Sequence, residues 1–144
     1  MEQSATYSRT APNVRIVHEA CDCKKFPGID TFEGRASPLI IGETMLAQSL
    51  EIPAGLRVPE HPEPEESMVY TVSGRWILKV DGQEHRMGPG SLHWLGKGTS
   101  AGCEVPYDKP ALVLSFVRIG EKGSPHGVLA ISVKDVRIVA RNAF

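Results

Sequence analysis

The chain has 144 residues, 16 Lys+Arg against 17 Asp+Glu for a formal charge of -1, and 41% hydrophobic residues; that suits one soluble domain and lacks the basic excess that meets phosphates. Its longest apolar runs, such as Ala111 to Leu114, are far short of the ~20 residues that span a bilayer. Met1-Glu2-Gln3-Ser4 has neither the basic start nor the apolar core of a secretory signal, so neither nucleic-acid nor membrane partners are expected and the expected compartment is the cytoplasm.

Glycine and proline, 14 and 11 residues, cut the chain into short pieces, and Val and Ile together number 22 against 10 Leu, a β-protein composition. Residues 1–12, rich in Ser, Thr and Ala, read as a flexible arm ahead of a single domain over 13–144. A strand is predicted near Val14–His18. Cys21 and Cys23 are one residue apart, too close for an unstrained disulfide, and no second pair completes a zinc knuckle; with Cys103 they are expected to be reduced. Strands follow near Leu46–Ile52, Met68–Val72 and Trp76–Val80. Asp81-Gly82 then predicts a type I′ hairpin that folds Trp76–Val80 back toward His85–Met87. Further strands are predicted near Leu92–Leu95, Cys103–Val105, Ala111–Ile119, Val128–Val133 and Val136–Ala140. Turns every 8–12 residues between short strands predict an all-β sandwich or closed barrel. The β-branched segments Val14–Val17 and Val136–Val139 could each pair with a second subunit along a strand edge, which predicts a homodimer.

The densest chemistry lies between Gly55 and Ser67, where Glu60, His61, Glu63, Glu65 and Glu66 fall within seven residues. Pro59, Pro62 and Pro64 exclude a helix and hold the segment extended, so His61 and Glu63 project from one face. That spacing offers two ligands to a metal, or an acid and a base to a substrate. A solvated acidic loop is the plainer alternative.

The surrounding frame resembles the first motif of the cupin family, G-x5-H-x-H-x3-E-x6-G, with Gly55, His61 and Gly74 in place, Glu63 where the second histidine stands and Ser67 where the glutamate stands. After the Asp81-Gly82 hairpin, the stretch Gly88 to Ala101 resembles the second motif, G-x5-P-x-G-x2-H-x3-N. There Gly90 and Gly98 match, Gly96 replaces the proline, Ala101 the metal histidine and Val105 the asparagine. The resemblance covers about residues 45–118. It implies a cupin-type jelly-roll barrel (a double-stranded β-helix) that encloses a small molecule and, in most members, an iron, manganese, nickel or zinc ion held by three histidines and a glutamate.

Of those ligands only His61 is retained, so any divalent transition metal would need other donors: Glu63 from the same strand, and His93 if its strand turns it inward. His93 packing on the outer face is the alternative. Glu66 could serve beside His61 only if the preceding turn shifts by one residue. Strand parity places Ser67 and Val69 on one inward face, and Thr99, Ala101 and Cys103 on another; Cys103 is equally readable as a small buried apolar residue. Three functions follow. One is metal-free acid–base catalysis by His61 with Glu63 or Glu66 on a small polar metabolite, of isomerase, lyase or cyclase type. Another is a dioxygenase-like metalloenzyme with a His61, Glu63 and His93 shell. The third is a binding module or sensor without catalysis.

Overall fold

A computed structural model of the protein describes residues 8–119. β1 (Ser8–Ala11) and β2 (Val14–Ile16) form a separate two-stranded hairpin, so the end of the segment read as an arm is a paired strand. A short 3-10 turn at Cys23–Lys25 leads to β3 (Ile29–Thr31) and β4 (Gly34–Ile41). There follow β5 (Met45–Ile52), β6 (Arg57–Pro62), β7 (Ser67–Ser73) and β8 (Trp76–Val80). β9 (Gln83–Met87), β10 (Leu92–Leu95), β11 (Ser100–Glu104) and β12 (Ala111–Arg118) complete the set.

Ten of these strands make two facing antiparallel sheets, ordered β10-β7-β12-β5-β4-β3 and β6-β11-β8-β9, the expected all-β jelly-roll barrel. The fold follows from alternation. In β7, Ser67 and Thr71 are buried while Met68 and Tyr70 are exposed, and in β12 Val113, Ser115 and Val117 are buried while Phe116 and Arg118 are exposed. The inward residues of both sheets meet in one cluster that includes Ile52, Val58, Trp76, Leu78, Val105 and Val113. Trp76 satisfies its indole N–H inside that core by donating to Thr71 Oγ1 at 3.0 Å.

The hairpin after β8 has the predicted geometry. Asp81 and Gly82 both take positive φ, 54° and 72°, as a type I′ turn requires. Their backbone N–H groups donate to the Glu60 carboxylate at 3.1 and 2.9 Å, which ties the turn to β6 from outside.

β4 was not predicted, and Pro38 is the reason: it interrupts the pattern, and the pairing with β5 shifts register between Pro38 and Ile40. β6 keeps Pro59 and Pro62 because it lies at the edge of its sheet, where a missing N–H costs no ladder bond. β11 starts three residues before the expected Cys103, with a bulge against β6 between Ala101 and Cys103. The strands expected near Val128–Val133 and Val136–Ala140 lie outside the described residues. No helix among the described residues is long and apolar enough to cross a membrane.

Candidate functional site

β6 delivers His61, and the chain just beyond it delivers Glu63. The Glu63 backbone is clamped to the Gly96–Thr99 turn on both sides: its N–H donates to Thr99 O at 2.8 Å and its carbonyl accepts from Gly98 N at 2.7 Å. On the ring of His61, Nδ1 lies 3.2 Å from the Pro59 carbonyl, an acceptor that keeps a proton on Nδ1 and leaves Nε2 to face the two carboxylates. Nε2 stands 3.0 Å from Glu63 Oε2 and 3.8 Å from Glu33 Oε2.

Glu33 was not foreseen. It comes from the β3–β4 turn, where the Thr31 hydroxyl accepts from Glu33 N at 3.2 Å and donates to Gly34 O at 2.8 Å. Gly34 has φ of +126°, and a Cβ there would lie 2.2 Å from the Glu51 carbonyl oxygen, so only glycine lets the turn press against β5. Phe32 sets its ring edge toward the His61 ring, centroids 5.4 Å apart. The Thr31-Phe32-Glu33-Gly34 turn was the available signal, but without strands assigned on either side it pointed nowhere in particular.

Glu33 and Glu63 line a cavity of about 80 Å³ between the sheets. His61 is not itself in that wall. Its side chain is 19% exposed, its Nε2 is closed off from solvent, and the contact with Glu63 lacks hydrogen-bond geometry, so Nε2 has no hydrogen-bond partner among the described residues. Burial, and then the neighbouring Glu33 charge, push the Glu63 carboxyl up to about 7, with His61 opposing. Burial also raises Glu33, again with His61 opposing.

The remaining candidates sort by strand face. Ser67, Val69, Ala101 and Cys103 all line the cavity, and the β11 bulge brings Gly102 into the same wall. Thr99 does not: it lies before β11 and lines a second, more open pocket of about 500 Å³ with His85 and Trp94, which shares Leu78, His93 and Leu95 with the first. Cys103 packs in the buried core cluster, and burial, with the charges of Glu33 and Glu63, holds its thiol up at about 12, the direction that disfavours a thiolate. Glu66 falls on the opposite parity from Ser67, and its Oε2 accepts from Trp94 Nε1 at 2.7 Å on the outer face. That corrects the reading of Glu66 as an acid or base beside His61.

His93 faces the cavity, while its strand neighbours Leu92 and Trp94 are exposed. It stands apart from the titratable cluster, however, which consists of Glu33, His61 and Glu63 with one ligand atom from each lying within 4.8 Å of the others. The His61, Glu63 and His93 shell is therefore not assembled, because β10 sets His93 against Trp76, ring centroids 5.6 Å apart. Burial lowers His93 to about 4. It is neutral in the fold, and the stability this contributes is present above the ordinary value of 6.5 and is lost as pH falls toward 4. Substituting His93→Leu should flatten that loss: the urea midpoint of the variant should gain on that of the wild type from pH 7 to pH 4, and parallel curves would show that His93 burial is not the cause.

A family model for the cupin domain matches residues 49–117, the stretch that holds β6 through β12 and the His61–Glu63 pair. The chain belongs to the cupin superfamily. Solved structures share its architecture. An RmlC-like cupin from Shewanella frigidimarina superposes with a TM-score of 0.61 at 14% identity, covering 81% of this chain and 96% of that one. The DMSP lyase DddQ from Ruegeria pomeroyi gives 0.60 at 19% identity, covering 80% and 71%. KdgF from Halomonas sp. gives 0.58 at 14%, covering 66% and 88%. At these identities the likeness concerns the fold alone. No curated protein matches the chain.

In this cupin the four positions that hold the metal in most members carry His61, Glu63, Ser67 and Ala101. Ser67 is buried and short, and Ala101 has no donor. The usual shell is absent, and the donors that the fold does bring together, Glu33, His61 and Glu63, are the residues that could hold an ion.

Proposed function

We propose that the barrel binds a small polar organic molecule and that Glu63 moves a proton on it, in an elimination or isomerisation. The observation that carries this reading is a carboxylate in the wall of a largely apolar cavity with an imidazole nitrogen 3.0 Å behind it. Withdrawn from water, a carboxylate is a stronger base than at the surface, because burial penalises its charged form. Glu63 takes the role of the group that meets the substrate. His61 is a positioning residue: the Pro59 carbonyl orients its ring, and its Nε2 faces Glu63 from outside the wall. Glu33 supplies a second carboxyl on the same wall, suited to returning a proton at a neighbouring atom. An ion held by the three side chains would supply Lewis-acid polarisation of a substrate oxygen.

A cavity of about 80 Å³ is roughly half the ~150 Å³ that houses a benzene, so it encloses the reacting end of a metabolite and not a whole sugar or peptide. A DMSP lyase among the proteins that share the fold makes elimination the reaction type to test first. The test is to incubate the protein, with chelator present, with a panel of small hydroxy- and oxo-compounds in D2O. Solvent deuterium in recovered substrate, or an elimination product, should appear with the wild type and be strongly reduced with His61→Ala. Full activity in His61→Ala on a substrate so identified would remove the assignment.

A further inference from the structure

We infer that Glu33, His61 and Glu63 form a divalent-cation site in which the β3–β4 turn supplies the ligand that the two cupin motifs no longer carry. Three observations converge on it. The first is spacing. Donor atoms each about 2.1 Å from one ion stand roughly 3.0 to 4.2 Å apart, depending on the angle between them, and Nε2 of His61 lies 3.0 and 3.8 Å from the carboxylate oxygens of Glu63 and Glu33. The second is orientation. The Nδ1 proton is directed to the Pro59 carbonyl, the outer-sphere contact that fixes the tautomer of a metal-binding histidine. This leaves Nε2 shut off from solvent and without a hydrogen-bond partner among the described residues.

The third is charge. Two carboxylates share one partly buried corner, and among the described residues no lysine or arginine is paired with either; Lys25 and Lys79 are engaged by Glu19 and Glu104. Arg35, the cation closest in sequence to Glu33, donates to the Cys23 and Phe26 carbonyls and to Ser37 Oγ. Among the described residues only the imidazole pairs with the two carboxylates. Two like charges in such a corner are stabilised by a proton or by a bound cation, and a mixed nitrogen and oxygen donor set suits zinc, manganese or ferrous iron.

The ligand set differs from the one the motifs imply, since Glu33 lies outside both. The ion takes the Nε2 lone pair and the carboxylate oxygens that proton transfer uses, so the loaded and free proteins are chemically distinct forms. This inference goes beyond the proton-transfer reading and does not rest on it.

The experiment uses the full chain, stripped with chelator and then titrated at pH 8 with Zn2+ or Mn2+ alone. Equilibrium dialysis with elemental analysis should give about one ion per chain, and at saturation the thermal midpoint should rise by about 5 °C. Both Glu33→Gln and Glu63→Gln should weaken binding on the order of 100-fold. Glu66→Gln, on the outer face, should leave it unchanged and so serves as the control for loose binding to surface acids. If the wild type takes up no ion, or if Glu33→Gln binds as tightly as the wild type while remaining folded by circular dichroism, the site as assigned is overturned. Because the readout is binding, and the proton-transfer test is run in chelator, failure of one leaves the other standing.

Discussion

Glu63→Gln should lower turnover by about 10² to 10⁴-fold on any substrate that the D2O screen identifies, with little change in thermal midpoint. Glutamine fills the same volume in the cavity wall and keeps an oxygen there, but it cannot accept a proton, and positioned acid–base groups contribute about that factor. The pH dependence separates the roles of its neighbours. With Glu63 as base, the rate should rise with pH around its value of about 7. The Glu33 charge is one of the causes that raise Glu63, so Glu33→Gln should move that midpoint to lower pH. His61 opposes the rise, so His61→Ala should move whatever activity remains to higher pH. Opposite displacements in the two variants are a signature that general loss of structure does not produce. A profile that stays in place in both would show that neither group acts through Glu63.

How far the site was readable follows from what each part depends on. His61 and Glu63 were legible because two residues on one extended strand share a face whatever the rest of the chain does, and the prolines around them leave few alternatives to extension. Glu33 was invisible for the converse reason. Its place beside His61 depends on a long-range approach of the β3–β4 turn to β6, set by Gly34 packing on the Glu51 carbonyl, and nothing within the turn announces its partner. His93 needed the parity of a four-residue strand, where one residue of error reverses the face; only the pairing of His93 with Val69 fixes it inward. Glu66 and Thr99 show the limits of the same rule. Alternation starting at Ser67 sends Glu66 outward, and extrapolation back from Ala101 fails at Thr99 because the strand has not yet begun there.

The fold was more legible than the site. The segments around β5, β7, β8, β10 and β12 are short apolar-rich stretches between turn residues, and each was predicted within about a residue of its bounds. Where a proline enters a strand, as in β4 and β6, local pattern argues against pairing, and only sheet position explains why it is tolerated. Pro38 sits at a register shift and Pro59 and Pro62 on an edge, both of which are properties of the assembled sheets.

Gly74→Ala tests the link between the motif frame and the barrel, and it should be among the most damaging single substitutions. Gly74 closes the first motif and turns the chain from β7 into β8, with φ of +79°. An added Cβ would lie 2.4 Å from the Pro110 carbonyl oxygen and 2.7 Å from Ala111 Cα, backbone atoms that cannot rotate aside. The residue pays twice, for a left-handed conformation at roughly 1–2 kcal/mol and for displacing the start of β12, where Ala111 is fully buried. The expected cost is at least about 3 kcal/mol, a fall of about 10 °C in thermal midpoint for a domain of this size. Gly55 provides the comparison. It also has positive φ, +83°, but nothing lies within 4 Å of its added Cβ, so Gly55→Ala should cost only about 1 kcal/mol. Equal losses at the two positions would mean that conformation alone, and not the contact with β12, makes glycine necessary at 74. The contact reading ties stability to the site, because the strand that Gly74 launches opens on Trp76 in the cavity wall, and a shifted β12 carries Val113 and Ser115 of that wall with it.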